Sequence, residues 1–158
     1  MAEADAASVA DLVARAMGCA AGTQALDTFR HHFQCRRHGI DDGRIYYVLT
    51  VDDTVLGVTG LHRYVWGPKE NIWLAWFAIE PSVRRQGFGA YLLDAMLDRA
   101  KQDGYKRFFI ETYSSSAFAP ARSFYLSQGF ACVGEIRSYL PDGDDMLIFA
   151  KELTTTHV

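Results

Sequence analysis

Apolar residues follow first a helical and then a strand-like rhythm along the chain. Val9, Leu12, Val13 and Ala16 share one face of a 3.6-residue period, which predicts a helix over residues 6–17. Leu26, Phe29, Arg30 and Phe33 repeat the period in a second segment, 23–36, where Thr23 can cap the start. Residues 45–51 are rich in β-branched and aromatic side chains, and Asp52-Asp53 turns them back into a second strand, 55–66. Gly67-Pro68 breaks that strand. Residues 72–79 then run apolar without alternation, as a central strand covered on both faces would.

Glu80-Pro81 ends the central strand, and a Gly-rich turn leads into a helix over 87–102. Phe88, Tyr91, Leu92, Ala95 and Met96 form its expected buried stripe, with Asp94, Asp98 and Lys101 toward water. Gly104 suits the helix stop. A short strand, 108–113, precedes a helix that Pro120 opens and Gly129 ends. Residues 131–139 and 146–153 then pair as a hairpin around Pro141-Asp142-Gly143-Asp144-Asp145. A helix between strands implies a right-handed parallel crossover, whereas hairpins impose antiparallel neighbours. The expected class is therefore α/β (mixed α+β), with a central mixed, mostly antiparallel sheet and helices on both faces. No repeat or linker divides the chain. Residues 1–158 read as one domain, with a helical pair at 1–38 and a sheet core at 44–153.

Composition narrows the options. With 158 residues, 49% of them hydrophobic, the chain can bury a core of roughly 70% of its unfolded surface, which excludes disorder. Sixteen basic against nineteen acidic residues, a net charge of −3, and no basic face argue against nucleic acid as a partner. Cys19, Cys35 and Cys132 are odd in number and scattered, so neither a disulfide framework nor a CxxC site is indicated. His31, His32, His38, His62 and His157 lack metal-ligand spacing, and no metal is expected. The first three are expected to decorate a helix end, where imidazolium suits the dipole. Neither a signal peptide nor an apolar run of ~18 residues is visible, so no membrane association and a cytoplasmic location are expected.

The most informative segment is Arg84-Arg85-Gln86-Gly87-Phe88-Gly89-Ala90, between the central strand and an amphipathic helix. Two glycines let the backbone turn tightly and approach a ligand. The first helical N–H groups lack intrahelical partners and point outward at the positive dipole end, which makes an anion site for phosphate or pyrophosphate. Arg84 and Arg85 add charge. A dinucleotide fingerprint fails because Leu92 stands where a third Gly or Ala is needed. A triphosphate loop fails for want of Gly-Lys-Ser/Thr. Taken alone, the segment fits equally a Gly-rich turn with surface arginines and no ligand.

The segment Ile79–Ala90 resembles the acyl-CoA-binding motif of the GNAT N-acetyltransferases, (Q/R)-x-x-G-x-(G/A). A second block, Ala121-Arg122-Ser123-Phe124-Tyr125-Leu126-Ser127-Gln128-Gly129-Phe130, is similar to that family's A-x-x-F-Y-x-x-x-G-F signature. Both occur in the expected order over about residues 44–153. Two departures stand out. Phe118 occupies the position, seven residues before the Tyr, where the family often has an Asn against pantetheine. The Ala-rich residues 1–8 also do not read as the usual first strand.

The resemblance implies acetyl transfer from acetyl-CoA to a primary amine by direct attack on the thioester. The alternative is a non-catalytic acyl-CoA-binding or regulatory domain. Residues 84–90 would hold the pyrophosphate, and the main chain of Phe77, Ala78 and Ile79 would pair with pantetheine, with the Ile79 amide polarising the thioester carbonyl. Tyr125 is implied as the acid for the departing thiolate; packing in the core is its other reading. Glu111, beside the central strand, is a candidate base, and water is the other. Glu80 reads as a solvated turn residue. Asp142, Asp144 and Asp145 crowd one turn, where aspartate also serves turn chemistry; together they would attract a cationic acceptor, Asp144 and Asp145 above all. Trp66, Trp73, Trp76, Tyr64 and Tyr139 are candidates for an apolar pocket or for core. The acceptor is expected to be a small-molecule or peptide amine. Many family members dimerise, so the resemblance allows a homodimer.

Overall fold

The computed structural model describes residues 1–153, so His157 and the last five residues of the expected domain lie outside the described residues. Within it the chain forms four helices and a six-stranded mixed sheet, the class expected. The elements are α1 (Ala6–Met17), α2 (Cys19–Arg37), β1 (Arg44–Val51), β2 (Thr54–His62), β3 (Asn71–Ile79), α3 (Phe88–Gln102), β4 (Arg107–Tyr113), α4 (Ala119–Ser127), β5 (Ala131–Ile136) and β6 (Met146–Glu152). Hydrogen-bonded neighbours run β1-β2-β3-β4-β6-β5. By contacts the described chain forms two compact units, residues 1–67 with 75–96 and residues 68–74 with those from 97 onward.

In the first unit, α1 buries Val9, Leu12 and Val13 against Ala25 and Phe29 of α2, Tyr46 of β1 and Val58 of β2. Phe29 is fully buried and meets the Tyr46 ring edge-on at 4.9 Å; burying such a side chain stabilises by ~1.5–3 kcal/mol. The helices approach closely at Gly22, where a methyl group would lie 2.5 Å from the Ala14 Cβ. The β1–β2 hairpin is antiparallel, and Asp52 and Asp53 both take positive φ, 47° and 63°, as a two-residue primed turn requires.

In the second unit, the first residues of β3 pair with β4 in parallel, and β6 pairs antiparallel with both β4 and β5. Phe108, Ile110 and Thr112 form the buried face of β4, and Phe108 packs edge-on against Phe130 at 5.9 Å. Gly104, at φ 85°, ends α3 as expected.

Several sequence expectations need correction. α2 starts at Cys19, and Thr23 lies inside it, its hydroxyl donating to the Cys19 carbonyl at 3.2 Å rather than capping. β2 stops at His62 and β5 at Ile136, both short of the expected ends. The buried stripe of α3 is Leu92, Leu93, Met96, Leu97 and Ala100; Tyr91 and Ala95 are exposed, because the stripe lies slightly round the helix from the position that spacing suggested. His32 does not decorate a helix end. It is 3% exposed, with Nδ1 at 2.9 Å from Asp42 Oδ1.

Candidate functional site

The turn after β3 is built to leave backbone donors unused. Pro81–Val83 forms one tight helical turn, Arg84 is extended, and Arg85 takes φ 62°, a left-handed conformation that costs a non-glycine residue energy. Gly87 follows at φ 88°, where only glycine is relaxed, although a Cβ would meet nothing within 4 Å. The glycine therefore answers a conformational need, not a crowding one. α3 then begins, and its first internal bond from the turn is Tyr91 N–H to the Gly87 carbonyl at 3.0 Å. The N–H groups of Phe88, Gly89 and Ala90 precede it, and no acidic side chain sits in the first helical turn. Gln86 and Arg85 are exposed beside them.

Other residues near this turn serve α1. Arg84 Nη2 donates to the Ala16 carbonyl at 2.8 Å, at the C-terminal end of α1. Glu80 is not simply solvated: Arg15 Nε and Nη2 reach its Oε2 at 3.0 and 2.7 Å. The Glu80 N–H donates to the Leu56 carbonyl at 2.9 Å, carrying the β2 contact past Ile79. Ala78 is buried, and Phe77 and Ile79 are partly so. The parallel ladder between β3 and β4 spans Asn71–Arg107 to Trp73–Phe109 and includes none of Phe77, Ala78 and Ile79.

In the second unit, Tyr125 is 6% exposed on α4. The rings of Phe124, Phe149 and Phe130 lie 5.6, 6.2 and 6.3 Å from its own. Burial pushes its phenol well above the usual tyrosine range, so it is protonated at neutral pH. Glu111 projects from the opposite face of β4 and is exposed, yet the protein around it desolvates the carboxyl and raises its pKa. Strand alternation puts Phe109 and Tyr113 on that face too. Trp73 stacks on Phe109 at 4.9 Å, and Tyr139 stacks on Tyr113 at 6.5 Å. Phe118, at the family's Asn position, meets Tyr113 edge-on at 5.3 Å. Tyr113 was not singled out by the sequence; its place two residues after Glu111 is the signal that could have found it. Burial, then Glu111 and Tyr139, raise its pKa.

The aromatic candidates of the first unit take different places in it. Trp76 packs on the core of the first unit, and Tyr64 and Trp66 lie 5.6 Å apart on its surface, Trp66 being 83% exposed. Two carboxylates of the aspartate turn hold local backbone. Asp142 Oδ1 accepts from Asp144 N–H at 3.2 Å, and Asp145 Oδ1 accepts from Ser138 N–H at 2.8 Å. Asp145 N–H donates to Ser114 Oγ at 2.9 Å.

The model of the Acetyltransferase (GNAT) family matches residues 7–130, most of the chain and both motif blocks. The chain belongs to the GNAT acetyltransferase family. The match begins inside α1 and ends just before β5. The protein is thus a GNAT-type N-acetyltransferase. Its fold is similar to that of a Desulfovibrio desulfuricans protein assigned to the GNAT family, with 23% identity, a TM-score of 0.83, and coverage of 96% of this chain and 94% of that one. It is also similar to the ribosomal-protein-S18-alanine N-acetyltransferase of Escherichia coli, with 21% identity, a TM-score of 0.75, and coverage of 99% and 93%. An aminoglycoside 6'-N-acetyltransferase complexed with coenzyme A shares 14% identity, with a TM-score of 0.74 and coverage of 97% and 93%. No curated protein matches the sequence significantly. Among the described residues, no helix of this acetyltransferase is long and apolar enough to cross a membrane.

Proposed function

We propose that this acetyltransferase moves the acetyl group of acetyl-CoA to a cationic primary amine, carried by a small molecule or a peptide, and that residues 1–158 act as one catalytic domain. The observation that carries the reading is the turn after β3. Arg85 and Gly87 in left-handed conformation open the first turn of α3, and the N–H groups of Phe88, Gly89 and Ala90 suit a pyrophosphate. Arg85 and Gln86 add polar contacts there, and Arg84 adds charge from its station at α1. The coenzyme A complex of the aminoglycoside enzyme supports the donor, and the names of that enzyme and of the alanine N-acetyltransferase support an amine acceptor.

The main chain of Phe77, Ala78 and Ile79 lies beyond the end of the β4 ladder and suits pairing with the pantetheine arm. The Ile79 N–H polarises the thioester carbonyl. The neutral amine nitrogen attacks the carbonyl carbon, the C–N bond forms, and the C–S bond breaks. Tyr125 gives its phenolic proton to the departing thiolate and regains one from solvent. Glu111 takes the proton lost by the amine, directly or through a water. Its upward shift moves it toward neutral pH, where a base is most effective. Asp144 and Asp145 raise the local concentration of the cationic acceptor.

The test is calorimetry of acetyl-CoA binding, followed by a thiol-release assay across small amines, polyamines and peptide N-termini. Binding with release for one class of amine is the expected result. A folded protein that binds no acetyl-CoA overturns the donor assignment. Binding without release across the panel returns the chain to an acyl-CoA-binding, regulatory role.

A further inference from the structure

The corner where α2 meets β1 carries a second arrangement suited to a ligand, sharing no residue with the acetyl-CoA turn. An open cavity of about 260 Å³ lies there, and His32 lines it although the residue is almost wholly buried. His32 Nδ1 sits 2.9 and 3.0 Å from the two carboxylate oxygens of Asp42, itself a buried side chain. Arg44 holds Asp42 in turn, through its N–H at 3.2 Å and its guanidinium at 3.7 Å. The rings of Phe33 and Tyr46 meet the imidazole edge-on at 5.0 and 5.1 Å and fix its plane. A carboxylate at Nδ1 orients the ring and keeps a proton on that nitrogen. The other nitrogen, Nε2, has no hydrogen-bond partner among the described residues. A buried, oriented imidazole in a cavity wall is thus left with one unused polar atom.

The charges around the cavity are unequal in availability. Asp42 is committed to His32 and Arg44, and Asp41 to Arg63 and to the Gly43 N–H. Arg36, one turn beyond His32 on the same face of α2, is exposed and forms no ion pair among the described residues, whereas the adjacent Arg37 pairs with Glu3. A helix C-terminus ordinarily repels an anion. Here its carbonyls are turned to backbone donors: Gly39 N–H bonds to the Arg36 carbonyl at 3.1 Å and Ile40 N–H to the Cys35 carbonyl at 2.9 Å, closing the helix in a Schellman motif.

We infer that this corner binds a small oxyanion, a carboxylate or a phosphate, with its oxygens bridged between the Arg36 guanidinium and His32 Nε2, which takes up a proton as the anion binds. The planar guanidinium fork suits either anion, and the Asp42–His32 pair supplies a preorganised second donor. The inference stands apart from the acetyl-transfer reading and survives its failure.

The test uses the full ¹⁵N-labelled chain and long-range ¹H–¹⁵N spectra that observe both ring nitrogens of His32. Sodium phosphate and sodium succinate are titrated separately, with ionic strength held constant by sodium chloride. A saturable movement of the Nε2 signal is expected, weakened at least tenfold in Arg36→Ala and unchanged in Arg37→Ala. A response to phosphate alone assigns a phosphate ligand, to succinate alone a carboxylate, and to both a general oxyanion site. Should Arg36→Ala fail to fold, Arg36→Gln gives the same comparison. An Nε2 signal that neither anion moves overturns the inference, as does a response that persists when Arg36 is replaced.

Discussion

Two turns of this acetyltransferase carry residues that attract ligands, and they differ in what they have left to offer. The turn at residues 84–90 ends in backbone N–H groups that the helix cannot satisfy internally. The turn at residues 141–145 holds three carboxylates, but those of Asp142 and Asp145 already accept bonds from Asp144 and Ser138 N–H groups. Charge density read along the chain ranks the aspartate turn at least as high as the glycine turn. Structural duty reverses the order, because Asp142 and Asp145 already hold backbone N–H groups in place. The lesson is that the residues present in a turn are weighed together with the bonds they already make in the fold.

The largest effect that would break this comparison is at the glycine turn. Placing a carboxylate there through Gly89→Glu sets like charges about 4 Å apart, worth ~4 kcal/mol at the protein surface, so acetyl-CoA affinity should fall roughly a thousandfold by calorimetry. Retained affinity would mean that these amides do not hold the donor. Next in size is Tyr125→Phe, which should lower kcat roughly a hundredfold while the acetyl-CoA Kd stays within about twofold, since only the acidic proton is lost. An unchanged kcat would make Tyr125 a packing residue among Phe124, Phe130 and Phe149.

A smaller but more specific effect concerns Glu111. Its carboxyl is shifted upward by burial, and a base must be deprotonated to act, so kcat/KM should rise with pH through that raised value. Glu111→Gln should remove this acidic limb and lower kcat about tenfold or more; a pH profile identical to wild type would leave water as the base. Within the glycine turn itself, Arg84→Ala should cost about 1 kcal/mol of stability through the lost bond to Ala16, measured by urea denaturation. If acetyl-CoA affinity falls instead and stability holds, Arg84 serves the ligand.

The smallest effects sharpen the aspartate turn. Asp145→Ala should destabilise by about 1 kcal/mol, because the Ser138 N–H loses its acceptor. Asp144→Asn should leave stability unchanged and raise the acceptor KM about twofold at low salt, an effect that added salt erases. Equal behaviour of the two variants would remove the distinction drawn between them.

Local pattern was sufficient for the order and type of the elements, because helical period, strand composition and turn residues act over a few positions. Gly87 and Gly104 are legible for the same reason, since a positive φ is a property of one residue and its neighbours. The partners of polar side chains were not legible. His32, read as a surface histidine, pairs with Asp42 of the loop between α2 and β1, and Arg84 and Glu80 find their partners on α1, more than sixty residues earlier. The insertion of β6 between β4 and β5, and the end of the β3–β4 ladder after three pairs, likewise arise from pairing between distant segments. Such pairing is decided by which buried faces fit together when the whole chain packs, a collective balance of burial and hydrogen bonding that no short stretch of sequence contains.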